Sequence, residues 1–286
     1  MKRKPLFRRK VAKKDFSESD LPSNRFELFF DILKNHYRTL LGASLLFLLF
    51  LLPLLMVQFF LDLRGASLFL SFEAGEIAEA DYLSQKGYID SASLILFPIG
   101  MAIASIGLSG IARIIKRLCF LEPVFFFDDF KRGIKENGAH FAMMVFAFSA
   151  LVSLALFVLS QFPGSLLGAL PIGIVMLFVY PVALIFLPAS SFYTMKFAPA
   201  VGLSFRVMLR SYGIVLPYLF VFLIPFGLQF VPDVVLRYLL LGVTGIFSSA
   251  ALVALFLFAF SRFDKYINKT RYPEWVDKGI HRKAKD

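Results

Sequence analysis

A chain of 286 residues with 58% hydrophobic side chains, 36 Phe, a mean hydropathy of +0.72 and 18% charged residues falls short of the roughly 25% charge that covers a water-soluble domain. That excludes a soluble fold, and outside the two ends it excludes disorder as well, since disorder needs low hydrophobicity and high charge. The composition is that of a polytopic membrane protein, with a net charge of +11 to be placed outside the bilayer.

The first segment, residues 1–23, opens MKRKPLFRRKVAKK. A secretory signal would follow such a basic stretch with an apolar run within a few residues, whereas here the first run of spanning length begins only at Thr39. The segment therefore reads as an uncleaved cytoplasmic arm. Each Lys or Arg near an anionic leaflet contributes ~1 kcal/mol, so the expected partner is the lipid headgroup layer rather than nucleic acid.

A helix crossing about 30 Å of hydrocarbon needs about 20 residues free of Asp, Glu, Lys and Arg. Thr39 to Leu61 and Ser91 to Ala112 are two such runs. Asn137 to Met195 carries no charge and is long enough for two crossings, divided by the helix-breaking Gln161-Phe162-Pro163-Gly164-Ser165. Ser211 to Pro232 and Tyr238 to Ser261 complete the set. The predicted fold is all-α, a transmembrane helical bundle of six spans over residues 24–263, followed by an interfacial tail, 264–286, with Tyr266, Tyr272 and Trp275. Of the 31 basic residues, 28 fall before the first span, in Arg113 to Lys135, in Lys196 to Arg210 or after Ser261, against Arg64, Lys86 and Arg237 elsewhere. Basic flanks stay cytoplasmic, which puts both termini inside and requires an even number of spans.

A short pattern, F-x-x-x-[LI]-[KR], precedes each odd-numbered span: Phe29, Leu33 and Lys34; Phe130, Ile134 and Lys135; Phe205, Leu209 and Arg210. Residues four apart share one helix face and the adjacent base can snorkel to phosphate. The pattern predicts three amphipathic elbow helices on the membrane surface, and with them three repeated hairpins. In the second span Gly100, Ala104, Gly107 and Gly110 form a small-residue stripe of the kind that lets helix backbones approach in lipid, which places that span at the centre of the bundle. Pro98, taken as the start of this span, and Pro171, Pro181, Pro188, Pro217 and Pro225 predict kinks. Between the first two spans, Glu73, Glu76 and Glu79 recur every three residues, on the expectation of one acidic helix ended by Gly87.

Two passages carry a family resemblance. Gly107-Leu-Ser-Gly110-Ile-Ala-Arg113-Ile-Ile-Lys116-Arg117 leads into Asp128-Asp129-Phe130-Lys131-Arg132-Gly133-Ile134-Lys135-Glu136-Asn137, and Asn24-Arg25-Phe26-Glu27-Leu28-Phe29 opens the first helix. They resemble the YesL-like family of bacterial integral membrane proteins, which has no established activity and whose members are often encoded beside carbohydrate-uptake genes. The resemblance implies a bacterial cell membrane protein that is accessory to, or a component of, carbohydrate or solute uptake, with a membrane permease as partner. The basic arm and the stretch from Asp62 to Asp90 are longer than that family usually carries. A looser likeness is to the membrane region of some glycerophosphodiester phosphodiesterases, whose soluble catalytic domain has no counterpart here.

The spans contain no Asp, Glu, Lys or Arg, the groups that mark ion-coupled carriers. His36, His140 and His281 lack metal-ligand spacing, and Cys119 stands alone. No catalytic, cofactor or metal site is therefore expected. A non-enzymatic uptake component and a structural or sensory protein that recruits a cytoplasmic partner or anionic lipid both remain open.

Overall fold

The computed structural model describes residues 21–162, 164–228 and 231–280, with backbone alone at 214, 216–222 and 226. Most of the basic arm and the last six residues lie outside this range. The described residues are helical, without a strand.

Helix α1 (Arg25–Glu73) starts at a capping box: Asn24 accepts the Glu27 N–H, and the Glu27 carboxylate accepts from Ser23 and Asn24 in return. Its backbone is non-helical only at His36 (φ −121°, ψ 20°), which separates the first elbow from the span. Helix α2 (Glu79–Cys119) returns antiparallel, and α3 (Phe126–Gln161) follows after a short turn. The expected break at 161–165 is present, with Ser165 capping α4 (Leu166–Ile174) through the Gly168 N–H. A π-helical turn, Val175–Val179, joins α4 to α5 (Tyr180–Phe192). Helix α6 (Phe197–Gly227) precedes α7 (Val234–Ile246), which Asp233 caps, and α8 (Ser248–Phe263).

Among the described residues four helical segments are long and apolar enough to cross a bilayer: α1, α2, α3 and the continuous Leu166–Phe192. The pair α7 and α8, bent by 50°, makes a fifth if it is one broken span. The outward faces are apolar. On α1, Leu41, Leu45, Leu49, Leu52, Met56 and Phe60 are all exposed at steps of three and four residues, a stripe along one helix face. The buried polar groups within the runs are mostly small hydroxyls, and Ser105, Ser109, Ser149 and Ser190 each donate to a carbonyl of their own helix. Apolar outside and small hydroxyls inside is the arrangement of a protein embedded in lipid.

Three expectations change. The acidic segment is a hairpin tip rather than one helix. Gly75, at φ +73°, stops α1 in the left-handed conformation that glycine adopts without strain. Glu79 and Asp81 then occupy the first turn of α2, where the helix dipole favours them, and Gly87 lies inside α2. Pro98 also lies within α2 rather than at its start. The bundle centre is α5, not α2: every residue from Tyr180 to Phe192 is buried, while α2 is buried mainly from Ala104 onward. Small residues bring one neighbour close, but a helix apolar all round can be enclosed on all sides.

The small residues of α2 do make pairwise contacts. A Cβ built on Gly100 would lie 2.6 Å from Leu54, on Gly107 2.4 Å from Phe50, and on Gly110 2.4 Å from Phe130, while Ala104 is buried. On α3, a Cβ on Gly133 would lie 2.7 Å from the Ser109 carbonyl oxygen and 2.8 Å from Gly110 Cα. The 50° bend at Phe247 contains no proline. There α1 fills the gap: Leu48 packs on Gly245 and Ser44 Oγ accepts the Ser249 N–H at 3.2 Å, supplying a partner that the bent helix lacks. Gly133→Leu is expected to cost at least the 1–3 kcal/mol of ordinary overpacking, because backbone rather than a flexible side chain blocks the space. Leu49→Ala, at an exposed position, should stay within about 0.5 kcal/mol. Melting midpoints of the two variants in detergent check the difference.

Candidate functional site at the basic end

Helix α3 opens with Asp128 and Asp129, which suit a helix N-terminus. Asp129 is only 2% exposed and accepts the Phe125 N–H at 2.8 Å. Two arginines one turn apart on α2 converge on it. Arg117 reaches both carboxylate oxygens at 3.2 Å, and Arg113 Nε lies 3.5 Å from Oδ1 and also donates to Glu136. Arg117 further donates to the Pro123 carbonyl, which closes the turn between α2 and α3. Between the arginines in sequence, Lys116 points elsewhere and donates to the Ser191 and Phe192 carbonyls at 2.8 and 3.3 Å. It thereby satisfies the last carbonyls of α5, as a basic side chain at a helix C-terminus can.

A second hub forms where the chain leaves α8. Asp264 accepts from Arg25 at 3.0 Å, from Asn268 at 2.7 Å and from the Asp277 N–H at 3.3 Å. Arg25 also donates to the Lys278 carbonyl at 2.6 Å and lies 4.7 Å over the Phe260 ring. Tyr193 donates to Asn268 Oδ1 at 2.6 Å. Burial, reinforced by the nearby Asp264 carboxylate, pushes the Tyr193 hydroxyl upward from the usual phenol range, so it remains a donor. The Trp275 ring stacks on Tyr193 and Tyr272, with Phe120, Phe192 and Phe260 packed behind it. The described part of the tail thus folds back onto the ends of α2, α5 and α8. At its end Gly279 (φ +86°) sits so close to Cys119 that a Cβ there would lie 2.6 Å from the Cys119 carbonyl oxygen. Cys119 itself is fully buried.

The three elbow motifs occupy different surroundings. Phe29 and Leu33 are half-buried with Lys34 exposed; Phe130 is buried on Gly110, with Ile134 half-buried and Lys135 exposed; Phe205, Leu209 and Arg210 are all exposed. Among the described residues no group of His, Cys, Asp or Glu could hold a metal ion. His36 marks the bend of α1, and the His140 ring lies 6.1 Å from that of Phe197. At the far end Asp62 pairs with Arg237 at 2.8 Å and accepts from Tyr238 at 3.1 Å, tying α1 to α7.

Sequence reasoning missed the Asp264 hub. Its partners Arg25, Tyr193 and Asp277 are dispersed along the chain and form no local pattern. Asp129, by contrast, lies within the passage that carries the family resemblance. Comparison with family models, with curated proteins and with solved structures finds no match.

Removing a buried carboxylate that faces two guanidinium groups leaves uncompensated charge, at a cost of about 3–5 kcal/mol. Asp129→Ala should therefore lower the melting midpoint sharply, while Glu136→Ala, at a half-exposed carboxylate, should change it little. Thermal denaturation of the two purified variants measures the contrast.

Proposed function

We propose that this chain is a six-span integral protein of the bacterial cytoplasmic membrane, with both termini inside, that acts without catalysis as a component of solute uptake. The single observation that carries the reading is where polarity is concentrated. Charged and aromatic groups pair at the basic end, around Asp129 and Asp264. Within the apolar runs, by contrast, hydroxyls such as Ser105 and Ser149 are bonded to their own helices. That is the distribution of a bundle whose working surface faces the cytoplasm, where a permease partner would dock. The sixth crossing in this reading is α6, 31 residues long and charge-free from Ser211. The resemblance of Gly107 to Asn137 to the YesL-like family supports carbohydrates as the solute class.

A second reading, a structural or sensory protein that recruits anionic lipid or a cytoplasmic partner, is supported by the exposed Arg206 and Arg210 on α6.

Deletion of the gene should slow growth on a subset of a panel of oligosaccharides and leave growth on simple sugars unchanged. Equal growth of deletion and parent strains across the panel would overturn the uptake role. Orientation is tested separately, with the buried Cys119 giving little background. Ser84→Cys on the far side should react with an impermeant thiol reagent in intact cells, and Lys131→Cys only after permeabilisation. The reverse pattern would invert the topology.

A further inference from the structure

Where α6 passes the π-helical turn Asp264–Asn268 and the short helical segment Lys269–Arg271, a groove of about 230 Å³ opens at the basic end. Arg206 and Arg210 line one wall, four residues apart and so on one face of α6. Arg271, Thr270 and Tyr266 line the other. Three arginines thus line one small space. Arg25, Arg113, Arg117 and Arg237 each have a carboxylate within 3.5 Å, but among the described residues Arg206, Arg210 and Arg271 have none. Tyr266 holds the wall in place. Its hydroxyl donates to the Arg210 carbonyl at 3.1 Å, and the Arg210 guanidinium lies 5.8 Å from its ring. The remaining surface is apolar, from Val207 and Ile267.

We infer that this groove binds the phosphate of an anionic glycerophospholipid. Guanidinium groups match phosphate oxygens in pairs, and basic pockets between spans at the membrane surface suit lipid headgroups. Two further features favour a lipid over free phosphate. Arg210 immediately precedes the charge-free run that begins at Ser211, which sets the groove at headgroup depth. Phe205 and Leu209, each adjacent to one of the arginines, are 48% and 57% exposed and offer an apolar track for an acyl chain. The inference rests on the membrane placement and deepens the second reading. It is independent of any role in uptake.

The test uses the full chain purified in a neutral detergent and titrated with phosphatidylglycerol, phosphatidylcholine or inorganic phosphate. Melting midpoint and retained lipid, by native mass spectrometry, are the readouts. Phosphatidylglycerol should raise the midpoint and stay bound, and phosphatidylcholine should do neither. Arg206→Gln, Arg210→Gln and Arg271→Gln should each weaken phosphatidylglycerol binding by about fivefold, with unchanged midpoints in its absence. Arg132→Gln, at an exposed arginine on α3 outside the groove, should not weaken it. Single variants keep the test informative where the triple variant fails to fold. Equal weakening by Arg132→Gln would show diffuse charge attraction and overturn the site. Protection by inorganic phosphate alone at equal concentration would overturn the lipid. Retention of the wild-type chain in carbonate-washed membranes reports on the membrane placement itself, whichever way lipid binding turns out.

Discussion

The backbone contact between Gly110 on α2 and Gly133 on α3 is the constraint on which the basic end depends. In lipid there is no hydrophobic force to drive helices together, so association relies on close packing and polar bonds. With no side chain at either position, the helices meet at backbone distance. Phe130 then lies over Gly110, and Asp129, one residue earlier, falls within reach of Arg113 and Arg117. The arginines stand on the face of α2 that α3 covers. Lys116 is rotated away from that face and reaches the end of α5 instead. One approach of two glycines thus fixes a buried ion cluster and, through the same turn of α2, seats the central helix.

The two ends of the bundle are built differently. At the basic end the bonds are long-range and mutually dependent, because Asp264 alone joins the start of α1, the end of α8 and the tail. At the far end α1 and α2 extend as a hairpin past their charge-free runs, with the stacked rings of Phe72 and Tyr82 near its tip, and Asp62 on α1 pairs with Arg237 on α7. Between them, the bend at Phe247 is stabilised by Ser44 rather than by any charge. Polar contacts at membrane depth are thereby kept few and small, as the cost of unpaired groups in hydrocarbon demands.

Much of the helical layout was legible because it depends on local composition. Charge-free runs located the helices beginning at Arg25, Glu79 and Phe126, and the Gln161 to Ser165 cluster located the turn before α4. The centrality of α5 was not legible, since an apolar helix encased by protein and one bathed in lipid have the same composition. The hairpin tip was misread because Gly75 and Gly87 look alike in sequence, and only the first adopts the backbone that ends a helix. The elbow motifs share a pattern while Phe130 is buried and Phe205 is exposed, because a six-residue motif does not encode what packs on it. The Asp264 hub was invisible for a similar reason: the nearest partner to it from α1 is separated by 239 residues.

That separation gives the molecule a time axis. Arg25 emerges from the ribosome early, and its carboxylate partner, with the tail turn that lies on Cys119, only after nearly everything else. At translation speeds of about 5–20 residues per second the interval is on the order of ten to fifty seconds. During it the first helix is held by α2 and, once they emerge, by α7 through Asp62 and Arg237 and by α8 through Ser44, while the Arg25 guanidinium lacks its carboxylate partner. Closure of the Asp264 hub joins the start of the first helix to the segment that follows α8.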